Sequence, residues 1–191
     1  MKNHLHEFKR KKVIVFGVEG KNNKTETIYF YHFKPADDDY ILKIVSCGST
    51  DPKNMLNSIK QKRKRFDYNA SEDKTFLFFD TDCRDDKLEI INNLKKSLPK
   101  DISFIVSSPT FELWFLNHFA LTSKSFRSNV ELMQELGKYV PDYQKSLDVF
   151  KKTIDFIENA ISNSTTQIMA NNSKCYTDVF KLFDHNILKI R

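Results

Sequence analysis

A chain of 191 residues with 40% hydrophobic and 29% charged side chains is long enough for one packed core and too apolar for the disordered class. Its three cysteines, Cys47, Cys83 and Cys175, share no CxxC spacing, which argues against a disulfide framework or a zinc knuckle and for a reducing, cytoplasmic setting. The net charge of +6 is compatible with a polyanionic partner without requiring one.

Residues 1–12 form a basic N-terminal segment. The apolar stretch 13–18 that follows is too short for a signal-peptide core or a membrane span, so neither targeting nor anchoring is expected. That stretch predicts a buried strand, and it runs directly into Glu19-Gly20. An aromatic-rich helix over 25–33 comes next, then a second strand over 40–46. Pro52, after Ser49-Thr50-Asp51, opens a helix through Met55, Leu56 and Ile59. A third strand over 75–79 runs into Asp80-Thr81-Asp82. A helix over 86–98 leads to a fourth strand over 102–106, which stops at Ser107-Ser108-Pro109. Alternation of this kind predicts an α/β core over 13–120, a mostly parallel sheet with helices on both faces. From residue 111 onward no strand-like run stands out. Helical spacing at 111–119, 129–136, 147–162 and 176–186 makes 121–191 a helical cap or extension, with the polar stretch 163–173 as a mobile connection.

The chemistry gathers where apolar runs end. Carboxylates at the C-terminal ends of parallel strands collect at one sheet edge, where α/β folds place ligands. If the strands ending at residues 18 and 79 are neighbours, Glu19, Asp80 and Asp82 repel one another unless a divalent cation, Mg²⁺ or Mn²⁺, neutralises them. Asp-x-Asp alone could equally be a solvated turn, and Glu26 serves either as a ligand or as the acidic first turn of its helix. Glu112 stands near a helix start with the same two roles open. His118 reads as a core histidine, Cys83 as a small loop thiol rather than a nucleophile, and Lys145 as either a solvated lysine or a phosphate contact. Gly17-Val18-Glu19-Gly20-Lys21 lacks the spacing of a P-loop. Lys21 and Lys24 beside Glu19, with the run Lys62, Arg63, Lys64 and Arg65, are the candidate nucleic-acid contacts.

Glu19-Gly20…Thr25-Glu26, Asp80-Thr81-Asp82 and the block Ser107-Ser108-Pro109-Thr110-Phe111-Glu112-Leu113-Trp114 resemble the RloB-like family, a branch of the TOPRIM fold. Tyr143-Gln144-Lys145 and the stretch from Asn172 to Val179 extend the likeness into the tail. The resemblance implies a TOPRIM-like, mostly parallel four-stranded sheet flanked by helices with a C-terminal helical extension. It also implies a magnesium-dependent nuclease whose metal ligands match Glu19, Glu26, Asp80 and Asp82, with Glu112 and Lys145 completing the catalytic set. Such proteins accompany ABC-type ATPases in bacterial restriction and abortive-infection systems. DNA and tRNA both stay open as substrate, and a homo-oligomer is open too. The rival expectation is a non-catalytic TOPRIM module that contacts nucleic acid or a partner ATPase.

Overall fold

The structure is a computed structural model that describes residues 10–19, 25–170 and 174–191. In chain order the elements are β1 (Lys12–Val18), α1 (Thr25–Phe30), β2 (Phe33–Pro35), β3 (Tyr40–Ser46) and α2 (Pro52–Lys62). Then come β4 (Lys74–Asp80), α3 (Asp85–Lys95), β5 (Ile102–Ser108), α4 (Glu112–Asn117) and α5 (Asn129–Gly137). The chain ends with α6 (Phe150–Thr153), α7 (Ile157–Met169), β6 (Tyr176–Thr177), α8 (Lys181–Asp184) and β7 (Leu188–Ile190). Among the described residues no helix is long and apolar enough to cross a membrane.

The sheet order is β3-β1-β4-β5-β6. The four long strands are parallel, with Gly17 opposite both Val45 and Leu77, and Asp80 opposite Ser107. This is the α/β architecture expected, consistent with a TOPRIM-like fold. Side chains alternate across it. Ile14, Phe16, Val18 and Phe78 pack on one face against Tyr29 and Phe30 of α1 and the apolar side of α4. Val13, Val15, Leu77 and Phe79 pack on the other against Met55 and Ile59 of α2 and Ile91 of α3. Gly17 sits on this second face, where a Cβ would lie 2.8 Å from Leu77 Cδ2 and 3.2 Å from both Cys47 Sγ and Ile59 Cδ1. Asp51 caps α2 by accepting from the Asn54 amide at 2.8 Å, with Pro52 in the first turn as its sequence predicts.

The C-terminal third departs from the purely helical expectation. Thr177 and Tyr176 pair antiparallel with Ser107 and Ser108, so β6 adds a fifth strand to the expected four. Leu188–Ile190 pairs antiparallel with Phe33–Pro35, which is also why α1 stops at Phe30. Both segments are two or three residues long, too short to show a period. The stretch 163–169, read as a mobile connection, is helical because its polar side chains are tied inward. Asn117, fully buried, donates to Ser164 Oγ at 2.9 Å and to Gln167 Oε1 at 2.8 Å, and Asn163 donates back to its carbonyl at 2.8 Å. Residues 171–173 of that stretch lie outside the described residues.

Candidate functional site

β1 and β4 are neighbours in parallel register, so the two acidic strand ends meet at one sheet edge. Asp80 ends β4 on the side of Phe76 and Phe78, toward α1 and α4. Those two helices bring Glu26 and Glu112 to the same place, both almost fully buried. Glu19 is 8% exposed and turns the other way, toward α3. There Lys87 donates from one buried ammonium to Glu19 Oε1 and Asp82 Oδ2, each at 2.9 Å. The result is a cleft of about 250 Å³ lined by Glu19, Glu26, Asp80, Asp82, Glu112 and Lys145.

The turn after β4 is held in an unfavourable backbone conformation. Asp82 and Cys83 have φ of +54° and +59°, a left-handed region that costs L-residues about 1 kcal/mol each. Four bonds fix it. The Thr81 amide donates to the Ser107 carbonyl at 3.0 Å and the Asp82 amide to the Pro109 carbonyl at 2.9 Å. Thr81 Oγ1 donates to Ser108 Oγ at 3.0 Å, and Asn129 Nδ2 to Asp82 Oδ1 at 3.2 Å. Asn129 is itself set by a reciprocal cap at the start of α5. Ser128 Oγ accepts from the Glu131 amide, while Glu131 Oε2 accepts from the Arg127 amide. On the far wall, Tyr143 donates its hydroxyl to Glu112 Oε1 at 3.2 Å.

Electrostatically the cleft is short of positive charge. Burial, then Glu26, Glu112, Glu19 and Asp82 in that order, push the Asp80 carboxyl well above its ordinary value. Burial also raises Glu19, against the opposing pull of Lys87. Burial would lower the Lys87 ammonium, but Glu19 and Asp82 outweigh it and hold it above the usual lysine range. Five carboxylates with oxygen donors only fit a hard divalent cation. Among the described residues, however, no group of three or more His, Cys, Asp or Glu side chains is arranged so that it could hold a metal ion. The Lys87 ammonium lies between two of the would-be ligands.

A family model described as RloB-like protein matches residues 14–185. The chain belongs to the RloB-like family. No curated protein and no solved structure is similar enough to the chain to match it.

In this RloB-like chain the expected carboxylates Glu19, Glu26, Asp80 and Asp82 line one cleft together with Glu112 and Lys145. Lys21 and Lys24 lie outside the described residues. The run from Lys62 to Arg65 divides between the two ends of the sheet: Lys62 reaches the edge where Ser46 pairs with Val18 beside Glu19, and Arg63 the opposite edge. Lys62 donates to the Ser46 carbonyl at 2.7 Å. Arg63 stacks 4.1 Å from the Tyr68 ring and bonds Asp101 and Thr75, at the amino ends of β5 and β4. Thr75 is five strand residues, about 17 Å, from Asp80. Lys64 and Arg65 are left exposed, with Arg65 over Phe66. His118 is a core histidine as read: burial lowers its pKa to about 4, and its ring nitrogen bonds the Trp114 carbonyl. The Cys83 thiol is raised by burial and by Asp82, so it carries no activated nucleophile.

Lys87 is the residue that sequence reasoning missed. The only signal was its place five residues after Asp82, where a first-turn lysine on α3 can fold back over the strand end.

Proposed function

We propose that this RloB-like protein is a magnesium-dependent TOPRIM nuclease that hydrolyses phosphodiester bonds of DNA or RNA, tRNA included. We further propose that it is the effector of a phage-defence system working with an ABC-type ATPase. One observation carries the reading: five carboxylates from four different elements line one cleft, with the Asp80 carboxyl pushed up by burial and then by the other four. Such a cluster is unfavourable alone and useful with a cation, and perturbed carboxylates in a cleft mark functional sites more often than structural ones. Glu19, Glu26, Asp80 and Asp82 would hold Mg²⁺ or Mn²⁺, whose charge polarises a phosphodiester and activates water. Glu112, oriented by the Tyr143 hydroxyl, stands ready to accept a proton from that water. Lys145, exposed on the cleft rim, is placed to meet a phosphate oxygen. The family membership supports the partnership with an ATPase, as does a sequence in which Gly17 to Lys21 lacks a P-loop.

A second reading, a non-catalytic module, has one observation in its favour. Lys87 already neutralises Glu19 and Asp82 from within. Incubating the protein with mixed DNA and RNA in Mg²⁺ separates the two. We expect the wild type to cut and Asp80→Ala to lose at least about 100-fold in rate. An isolated effector held inactive by its partner calls for the same comparison in cells, co-expressed with the neighbouring ATPase under phage challenge. Protection by Asp80→Ala equal to wild type, with nucleic acids intact in both, would leave the binding module standing.

A further inference from the structure

A second cleft, of about 410 Å³, lies on the other side of the strained strand-end turn. Alternation divides the turn between the two: Asp80 and Asp82 line the acidic cleft, whereas Thr81 and Cys83 line the second. Asn129 holds both residues of the turn, bonding Asp82 through Nδ2 and lying 3.9 Å from Cys83 Sγ through Oδ1, while Cys83 Sγ also lies 3.5 Å from the Phe126 carbonyl. The second cleft has the opposite charge character. Arg84, Arg127 and Lys174 line it against a single acid, Asp85, with the hydroxyls of Thr81 and Ser108 beside them and Leu88 and Phe126 as an apolar floor.

Arg84 is lightly committed, pairing with Asp86 where the two side chains are 61% and 63% exposed, and Lys174 pairs with Asp85 at 3.3 Å. Exposed pairs of this kind contribute little and exchange readily for a stronger anion. Arginine forks and hydroxyls suit phosphate oxygens, and the volume lies in the range of small-ligand sites.

We propose that this basic cleft binds the phosphate and sugar of the nucleotide next to the scissile one, so that a single nucleic-acid strand crosses the Asp80–Cys83 turn. The proposal rests on the nuclease reading of the acidic cleft. It also adds to the positive charge near the carboxylates: a polyanion approaching five acids needs cations close by, and Arg63 stands at the other end of the strands, bonded to Thr75 and Asp101. Arg127 is the central contact, presented by the same Ser128 cap that positions Asn129 on Asp82.

Fluorescence anisotropy with a labelled mixed-sequence single strand, as DNA and as RNA, tests this in Ca²⁺ across a salt series. Arg127→Ala combined with Lys174→Ala is expected to weaken binding roughly tenfold at low salt and to make the log–log salt slope shallower by about 1.4, two contacts at about 0.7 each. Lys64→Ala with Arg65→Ala removes the same charge at the far end and serves as the comparison. Equal or greater loss from that far-end pair, or no binding by the wild type, overturns the proposal. Cleavage in Mg²⁺ is scored separately. Cutting that persists while the cleft variants bind like wild type sinks the cleft alone. Binding lost at the cleft with no cutting by any protein, either alone or co-expressed with the ATPase under phage challenge, sinks the hydrolytic reading alone.

Discussion

Asp80 is the residue on which repulsion concentrates. Its carboxyl titrates above the ordinary range in the folded chain because of burial and then Glu26, Glu112, Glu19 and Asp82. The folded state therefore binds a proton that the unfolded state releases, and stability falls as pH rises above the unfolded value of about 3.9. Asp80→Asn removes that repulsion. In metal-free buffer near pH 7 we expect the variant to be more stable than wild type, with the gain vanishing below about pH 4. Thermal melts at the two pH values check this; an equal gain at both would mean the cluster is not the cause. Lys87 behaves in the opposite sense. With its ammonium 5% exposed between Glu19 and Asp82, Lys87→Met leaves two carboxylates unpaired, and we expect a loss of about 3–5 kcal/mol in denaturant titrations without metal. Added Mg²⁺ should restore part of it, a recovery that a merely packing role for the lysine stem would not produce.

The residues divide by legibility. Glu19, Asp80 and Asp82 were visible because each ends an apolar run. Glu26 and Glu112 were ambiguous with helix-start acids, and only the packing of α1 and α4 puts both on the cleft wall. Lys87 was invisible because a helical lysine reads as solvated until the sheet edge beneath it is known.

At the scale of elements, the long strands were readable from their apolar runs and the short ones were not. Gly17 shows how tightly the central pair is built. An added methyl would stand 2.8 Å from Leu77 Cδ2 with Cys47 and Ile59 close on either side. We expect Gly17→Ala to destabilise by about 1–3 kcal/mol through overpacking, read as a lower denaturation midpoint with an unchanged slope. The helix α7 was obscured for a different reason. Its Asn, Ser and Gln side chains look like a linker, yet they complete the hydrogen bonds of a buried asparagine, so tertiary contacts override local preference. The basic run at the end of α2 was ambiguous because charge alone does not tell a solvated face from an internal pair such as Arg63 with Asp101.

For the whole molecule, metal and fold should be linked. Any cation that binds the native carboxylates and ignores the unfolded chain stabilises by mass action, about 2.7 kcal/mol at a hundred times its dissociation constant. For a chain of this size that is a rise of about 5–10 °C in melting temperature. We expect Mg²⁺ and Mn²⁺ to produce it in wild type and Asp82→Asn to blunt it; identical melts with and without metal in both proteins would argue against a cation site. The same carboxylates that weaken the metal-free protein would then hold it together.

The short antiparallel pair made by β2 and β7 bears on how the chain is made. Phe33 is fully buried, and the Arg191 side chain donates to its carbonyl across 158 residues of sequence. A ribosome adding about 5–20 residues per second needs roughly 10–30 s to synthesise that stretch. Over that interval Tyr29 and Phe30 gain Phe78, Phe111 and Phe115 as ring partners, whereas the Phe33 backbone waits for residues 188–190. The pairing of β2 with β7 therefore ties its two sequence-distant segments together only after the strands and helices that line the acidic cleft have been made.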